Sequence, residues 1–110
     1  MDPKELAERY FETVRSRDID RFVALYTEDA SSIYPDGREA KGAAAIRARQ
    51  AAVYAAMPPS PSPQSMIAGD RCVAVEMEAT LPDGAVRRMA NFFYFNADGL
   101  IERQRVYRQG

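Results

Sequence analysis

The sequence predicts an α+β domain in which helices come first and an antiparallel sheet follows. Three observations carry this. Apolar residues recur at helical spacing up to about residue 57. Past the proline-rich stretch "PPSPSPQ" (58–64) the period changes to two. The later segments are joined by Gly69-Asp70, Pro82-Asp83-Gly84 and Asn96-Ala97-Asp98-Gly99, each suited to a hairpin.

The first helix is marked at its start. Asp2 can cap it, Pro3 suits its first position and Glu5 sits where a capping box places its acid. Leu6, Ala7, Tyr10, Phe11 and Val14 then share one face. "SRDID" ends it, and Asp18 caps a short second helix expected to carry Phe22, Val23, Leu25 and Tyr26. Residues 30–34 read as a brief strand, closed by the Pro35-Asp36-Gly37 turn. Gly42 opens a third helix with Ile46, Gln50, Val53, Tyr54 and Met57 on one stripe. Four prolines in 58–63 stop it and predict an extended connector. Strands are expected at about 65–69, 71–81, 85–95 and 100–108. Val73, Val75, Met77 and Ala79 form one face of their strand; Met89, Asn91, Phe93 and Phe95 form one face of the next. "ANFFYF" is apolar on both faces, so both sides of the sheet need a cover. Helices supply one, and a second copy of the chain is the economical other; a homodimer is expected.

A chain of 110 residues allows one domain, taken as 1–110, with a single core. No apolar run approaches the roughly 18 residues of a membrane span, and Met-Asp-Pro-Lys-Glu has no signal-peptide pattern. A formal net charge of −1 argues against nucleic acid as a partner. Cys72 is alone, which excludes an intrachain disulfide and fits the cytoplasm. Within an apolar strand it reads as a buried small hydrophobe. There is no histidine. That removes Ser-His-Asp and Cys-His nucleophiles and His-based zinc sites, and no metal or cofactor is expected. Proton transfer falls to carboxylates, Tyr, Lys, Arg or water.

The segments "LAERYFETVRSRDIDRFVALYTEDASSIYPDG", "GAAAIRARQ" and "FFYFNADGLIERQRVYR" resemble the NTF2-like superfamily, in its SnoaL-like and ketosteroid-isomerase-like branch. The resemblance spans nearly the whole chain. It implies a cone: a curved antiparallel sheet wrapped around three helices, enclosing a deep apolar pocket. It implies the fold more than the reaction, because members include isomerases, cyclases, epoxide hydrolases, dehydratases and proteins without known catalysis. Carried across from ketosteroid isomerase, the oxyanion-hole Tyr falls on Tyr10 and the protonated Asp on Asn91, which donates without a shifted pKa. The catalytic base falls on Tyr34, and a phenol is a poor base at neutral pH. The epoxide-hydrolase pattern needs carboxylates near Asn91 and Val106, and neither residue is acidic. The aspartate base of the SnoaL cyclases has no clear match.

The candidate catalytic residues are therefore Tyr10, Asn91, Glu76 and Glu78. Tyr10 is either a core tyrosine or a donor aimed at a ligand oxygen. Asn91 interrupts the apolar "MANFFYF", where a buried amide is costly unless it meets a partner or ligand. Glu76 and Glu78 share a strand face about 7 Å apart. On a pocket wall they could move a proton; toward solvent or a dimer rim they are ordinary charges. Tyr34 is expected as a wall with a hydroxyl, and Tyr54, Met89, Phe93, Gln104, Val106 and Arg108 as further lining. Arg108 could hold a carboxylate or enolate. The late arginines otherwise read as a solvated face. Two functions follow: a cofactor-free isomerase, cyclase or lyase for an apolar carbonyl or phenolic molecule, or a non-catalytic binding or dimerisation module that lost its carboxylate.

Overall fold

The computed structural model describes residues 2–56 and 61–109. Met57, expected on the third helix, and Pro58, Pro59 and Ser60 of the expected connector lie outside the described residues. The helices are α1 (Pro3–Ser16), α2 (Ile19–Val23) and α3 (Ala43–Ala56). The strands are β1 (Tyr26–Ile33), β2 (Glu39–Lys41), β3 (Pro61–Ala68), β4 (Cys72–Thr80), β5 (Val86–Phe95) and β6 (Ile101–Arg108). None of the described helices is long and apolar enough to cross a membrane.

The helix starts follow their signals. The Asp2 carboxylate accepts from the Lys4 amide at 3.0 Å, and Pro3 occupies a position where a missing N–H is harmless. Arg17 turns left-handed at φ 60° and ends α1. Asp18 caps α2 through the Arg21 amide at 3.1 Å.

The six strands form one curved sheet in the order β2-β1-β6-β5-β4-β3. From β3 to β6 it is the expected antiparallel meander. β1 departs from expectation by lying parallel to β6. It also begins at Tyr26, which the helical spacing had placed on the second helix. Ala24 and Leu25 end the helix, and the backbone N–H of Ile101 bonds the Leu25 carbonyl at 2.8 Å, so β6 draws that segment into the sheet. β3 begins at Pro61, inside the expected connector. It is an edge strand, where a residue without an N–H is tolerated.

One face of the sheet is the core. Val73, Val75, Met77, Phe93, Phe95 and Ile101 are buried against Ala7, Phe11 and Val14 of α1 and Phe22 of α2. Ile46 brings α3 into the same cluster. Four polar residues are buried as well: Thr13 on α1, Ser32 on β1, Asn91 on β5 and Gln104 on β6.

Candidate functional site

A cavity of about 710 Å³ opens between α1, α3 and the concave face of β4, β5 and β6. That is ample for a small organic molecule. Phe11, Val14, Val53, Met77, Met89 and Val106 make it mostly apolar. Tyr10, Tyr34, Gln50 and Asn91 bring polar groups to its wall.

Asn91 points inward because β5 alternates and because Val75 and Val106 flank it across the sheet. Its neighbour one step along is Gln104, opposite Phe93 on β5 and beside Ser32 on β1. The Gln104 amide is fully engaged. Its Nε2 donates to Asn91 Oδ1 at 2.9 Å and to the Tyr10 hydroxyl oxygen at 3.1 Å. Its Oε1 accepts from Tyr26 at 2.5 Å and from Ser32 Oγ at 3.1 Å. Ser32 in turn accepts from Arg49, whose Nη1 also donates to the Ser32 carbonyl at 3.0 Å.

This chain of bonds has a direction. Tyr10 receives a hydrogen from Gln104, so its own proton is left to be donated, to the neighbouring Tyr26 hydroxyl oxygen or to a group in the cavity. Asn91 uses its carbonyl on Gln104, so its Nδ2 is the group left outward, 2.8 Å from Met77 Sδ. The two cavity-lining residues thus present donors rather than acceptors. Burial pushes the Tyr10 hydroxyl up to about 12, partly countered by the Gln104 bond, so it stays a protonated donor at neutral pH. Burial likewise holds the Tyr26 hydroxyl well above its usual range and raises that of Tyr34.

Arg49 supplies charge behind this layer. Its guanidinium carbon lies 3.3 Å from the centre of the Tyr34 ring, and it makes no ion pair among the described residues. Burial lowers its pKa, while the nearby phenols act to raise it. This partly desolvated cation, offset in part by the Asp36 carboxylate, adds positive potential near the Tyr10 and Tyr34 hydroxyls.

The expected site residues separate into three groups. Tyr10, Tyr34, Met89, Asn91, Val106 and Arg108 are on the cavity wall. Gln104 and Phe93 are buried just behind it; the Phe93 ring packs 4.8 Å from that of Tyr10. Three residues are corrected. Tyr54 turns away toward α1, its ring 5.2 Å from the Arg17 guanidinium and its carbonyl accepting from the same side chain. Glu76 and Glu78 lie on the convex face, because strand alternation gives the inner positions to Met77 and Ala79. There Glu76 accepts from Ser65 at 3.1 Å and Glu78 pairs with Arg88 at 3.3 Å. Neither reaches the cavity. Among the described residues Asp83 is the only carboxylate on the cavity wall, at its mouth on the β4–β5 turn. The strand from Val86 to Asn91 alone spans about 16 Å, so Asp83 is remote from the donors.

Sequence reasoning missed Tyr26, Ser32, Arg49 and Asp83. Arg49 had a usable signal: it lies three residues after Ile46, on the helix face that meets the sheet. Ser32 and Tyr26 had none, since their partner Gln104 is more than seventy positions away.

A family model described as a SnoaL-like domain matches residues 7–104. No curated protein matches the chain. Among solved structures it is similar to the epoxide hydrolase/cyclase-like enzyme SalBIII, described in pyran ring formation in polyether salinomycin. The identity is 25%, the TM-score 0.86, and the match covers 97% of this chain and 90% of that one. An NTF2-like protein of unknown function from Cytophaga hutchinsonii gives a TM-score of 0.82 at 12% identity, over 99% and 91% of the two chains. A ketosteroid isomerase-like protein from Catenulispora acidiphila, in complex with trimethylamine, gives 0.86 at 13%, over 96% and 86%. The last two bear on the fold alone.

Proposed function

Since the chain belongs to the SnoaL-like domain family and has an NTF2-like fold, we propose that its cavity takes a small apolar molecule by a carbonyl or phenolic oxygen. That oxygen accepts from Tyr10 and Asn91, and the pair holds it in its enolate or phenolate form. The single observation that carries this reading is the Gln104 amide, which occupies an acceptor on each residue, so that what these two cavity-lining side chains have left to offer a ligand is a donor. Preorganised donors act where negative charge develops, and Arg49 behind them adds to the effect.

Isomerase, cyclase and lyase steps all build charge on such an oxygen, so this is the class of reaction proposed. The similarity to SalBIII, a cyclase-like enzyme, supports the cyclase among them. No cofactor enters the proposed chemistry. The working unit is proposed to be a homodimer, and the lone Cys72 fits a cytoplasmic location.

A second reading has its own support: the one cavity-wall carboxylate among the described residues is far from the donors. A protein built this way binds and polarises a ligand without moving its proton, as a non-catalytic binding module.

Titration with 2-naphthol, followed by fluorescence for both binding and ionisation, tests the site. The expected result is binding of the naphtholate, weakened about tenfold in Tyr10→Phe and in Asn91→Leu, as loss of a charge-assisted hydrogen bond requires. Binding indifferent to both substitutions overturns the donor pair. Exchange of a bound ketone's α-hydrogens with deuterated water separates the two readings, because only the enzyme accelerates it.

A further inference from the structure

The cavity mouth has a charge pattern that the donor pair does not use. Arg87 on β5 and Arg108 on β6 both line the cavity, and with Arg88, Val86 and Gln109 they also line a second, polar hollow of about 400 Å³ beside it. Arg108 lies opposite Met89, two positions along β5 from Asn91, and Arg87 lies two positions beyond Met89. At about 3.3 Å per residue, their backbones stand roughly 7 and 13 Å from Asn91 along the sheet.

Arg88 is paired with Glu78 on the convex face. Arg87 and Arg108 make no ion pair among the described residues. Asp83 is the one acid on the same rim, and its Oδ1 is engaged by the Ala85 amide at 2.9 Å. Two guanidiniums against one carboxylate leave a single net positive charge at the mouth. A monoanion balances it, where a phosphate dianion would overshoot.

We propose that Arg87 and Arg108 form a carboxylate subsite, so that the ligand is an amphiphilic acid. Its apolar body fills the cavity, its carbonyl or phenolic oxygen sits on Tyr10 and Asn91, and its carboxylate ends at the mouth. This rests on the reading of the cavity given above. It adds a length requirement: the two polar ends are separated by about two fused rings. Guanidinium forks suit a carboxylate in two-point contact, and both side chains are exposed enough to reorient onto it.

Three probes separate the claims: 6-hydroxy-2-naphthoic acid, its methyl ester, and 2-naphthol. The acid is expected to bind about tenfold more tightly than the ester at low salt, with the difference shrinking as salt is added. In the double variant Arg87→Gln, Arg108→Gln, acid and ester should become equal, the acid losing about tenfold and 2-naphthol, which has no carboxylate, losing clearly less than the acid. Both positions are exposed, so the substitutions leave the core intact. Equal binding of acid and ester to the wild type, or a preference that survives the double substitution, overturns the subsite while 2-naphthol still reports the donor pair. If none of the three binds, the cavity reading falls, and the subsite with it.

Discussion

Gln104 has two N–H donors and two acceptor positions, and its environment fills all four. Its value to the site lies in setting which way Tyr10 and Asn91 face. Gln104→Glu keeps the shape but replaces two donors with an acceptor. Tyr10 would then donate to the new carboxylate instead of into the cavity. Naphtholate binding is expected to fall about tenfold or more, with the fold retained because Arg49 can compensate the charge. Gln104→Leu leaves the Tyr26 and Ser32 hydroxyls buried without an acceptor and should cost about 1–3 kcal/mol in urea unfolding. Equal binding by the wild type and Gln104→Glu would show that the network sets no polarity. Tyr10 also makes stability depend on pH. Its hydroxyl holds a proton up to about 12 in the folded chain, above the reference value of about 10. In that interval the folded chain keeps a proton that the unfolded chain has released. The stabilisation is therefore whole below pH 10 and is lost as pH rises through 12. Denaturant melts across this range should fall less steeply for Tyr10→Phe. At this scale the sequence showed Asn91 clearly, as a polar break in an apolar strand. Gln104 was legible only by parity, because its partners come from α1, β1 and β5 and no local pattern joins them.

The elements were legible wherever local chemistry starts or stops them. Asp2 and Asp18 cap, Pro3 opens α1, and the three hairpin turns fall where Gly and Asp place them. The misses have a common cause. Tyr26 sits at helical spacing from Phe22, yet it joins β1 because a strand from the far end of the chain pairs with it. β2 is three residues long and carries too few side chains to show a period. Pro61 and Pro63 look like a connector, but on an edge strand a missing N–H breaks no ladder. The cap on α1 gives an independent check on the element that carries Tyr10. Asp2→Ala should destabilise the protein by about 1 kcal/mol in urea unfolding, from loss of the bond to the Lys4 amide. Naphtholate affinity should not change, since Tyr10 sits two turns further along and is fixed by Phe11, Phe22 and Phe93 around its ring. A large loss of binding would mean that the site depends on the α1 terminus, contrary to this packing.

For the molecule as a whole, the convex face of the sheet is the surface on which the proposed homodimer can be tested. Strand register sorts its side chains into stripes. Glu76 and Glu78 lie on β4, Phe92 and Tyr94 on β5, and Arg103, Arg105 and Tyr107 on β6. Glu78 is already paired with Arg88 of β5, so Glu76 is the free acid on β4, facing the basic β6 across an aromatic centre. Tyr94 and Tyr107 are exposed, and Arg105 Nε is buried with no hydrogen-bond partner among the described residues. Two such faces can meet with the two-fold axis along β5 or across it. Along β5, the strand of each copy that carries Glu76 lies over the basic strand of the other; across it, like meets like. For the proposed dimer, charge therefore favours the first arrangement, with the aromatic stripes packed at the centre. Sedimentation equilibrium should find a dimer. Arg105→Glu should weaken it about tenfold by setting acid against acid, and adding Glu76→Arg should restore most of the loss. A dimer untouched by Arg105→Glu would place the interface elsewhere, and a wild-type monomer would remove the dimer altogether. The two surfaces of the sheet can then be tested separately. The convex substitutions should leave naphtholate binding alone, because every side chain they alter points away from the cavity.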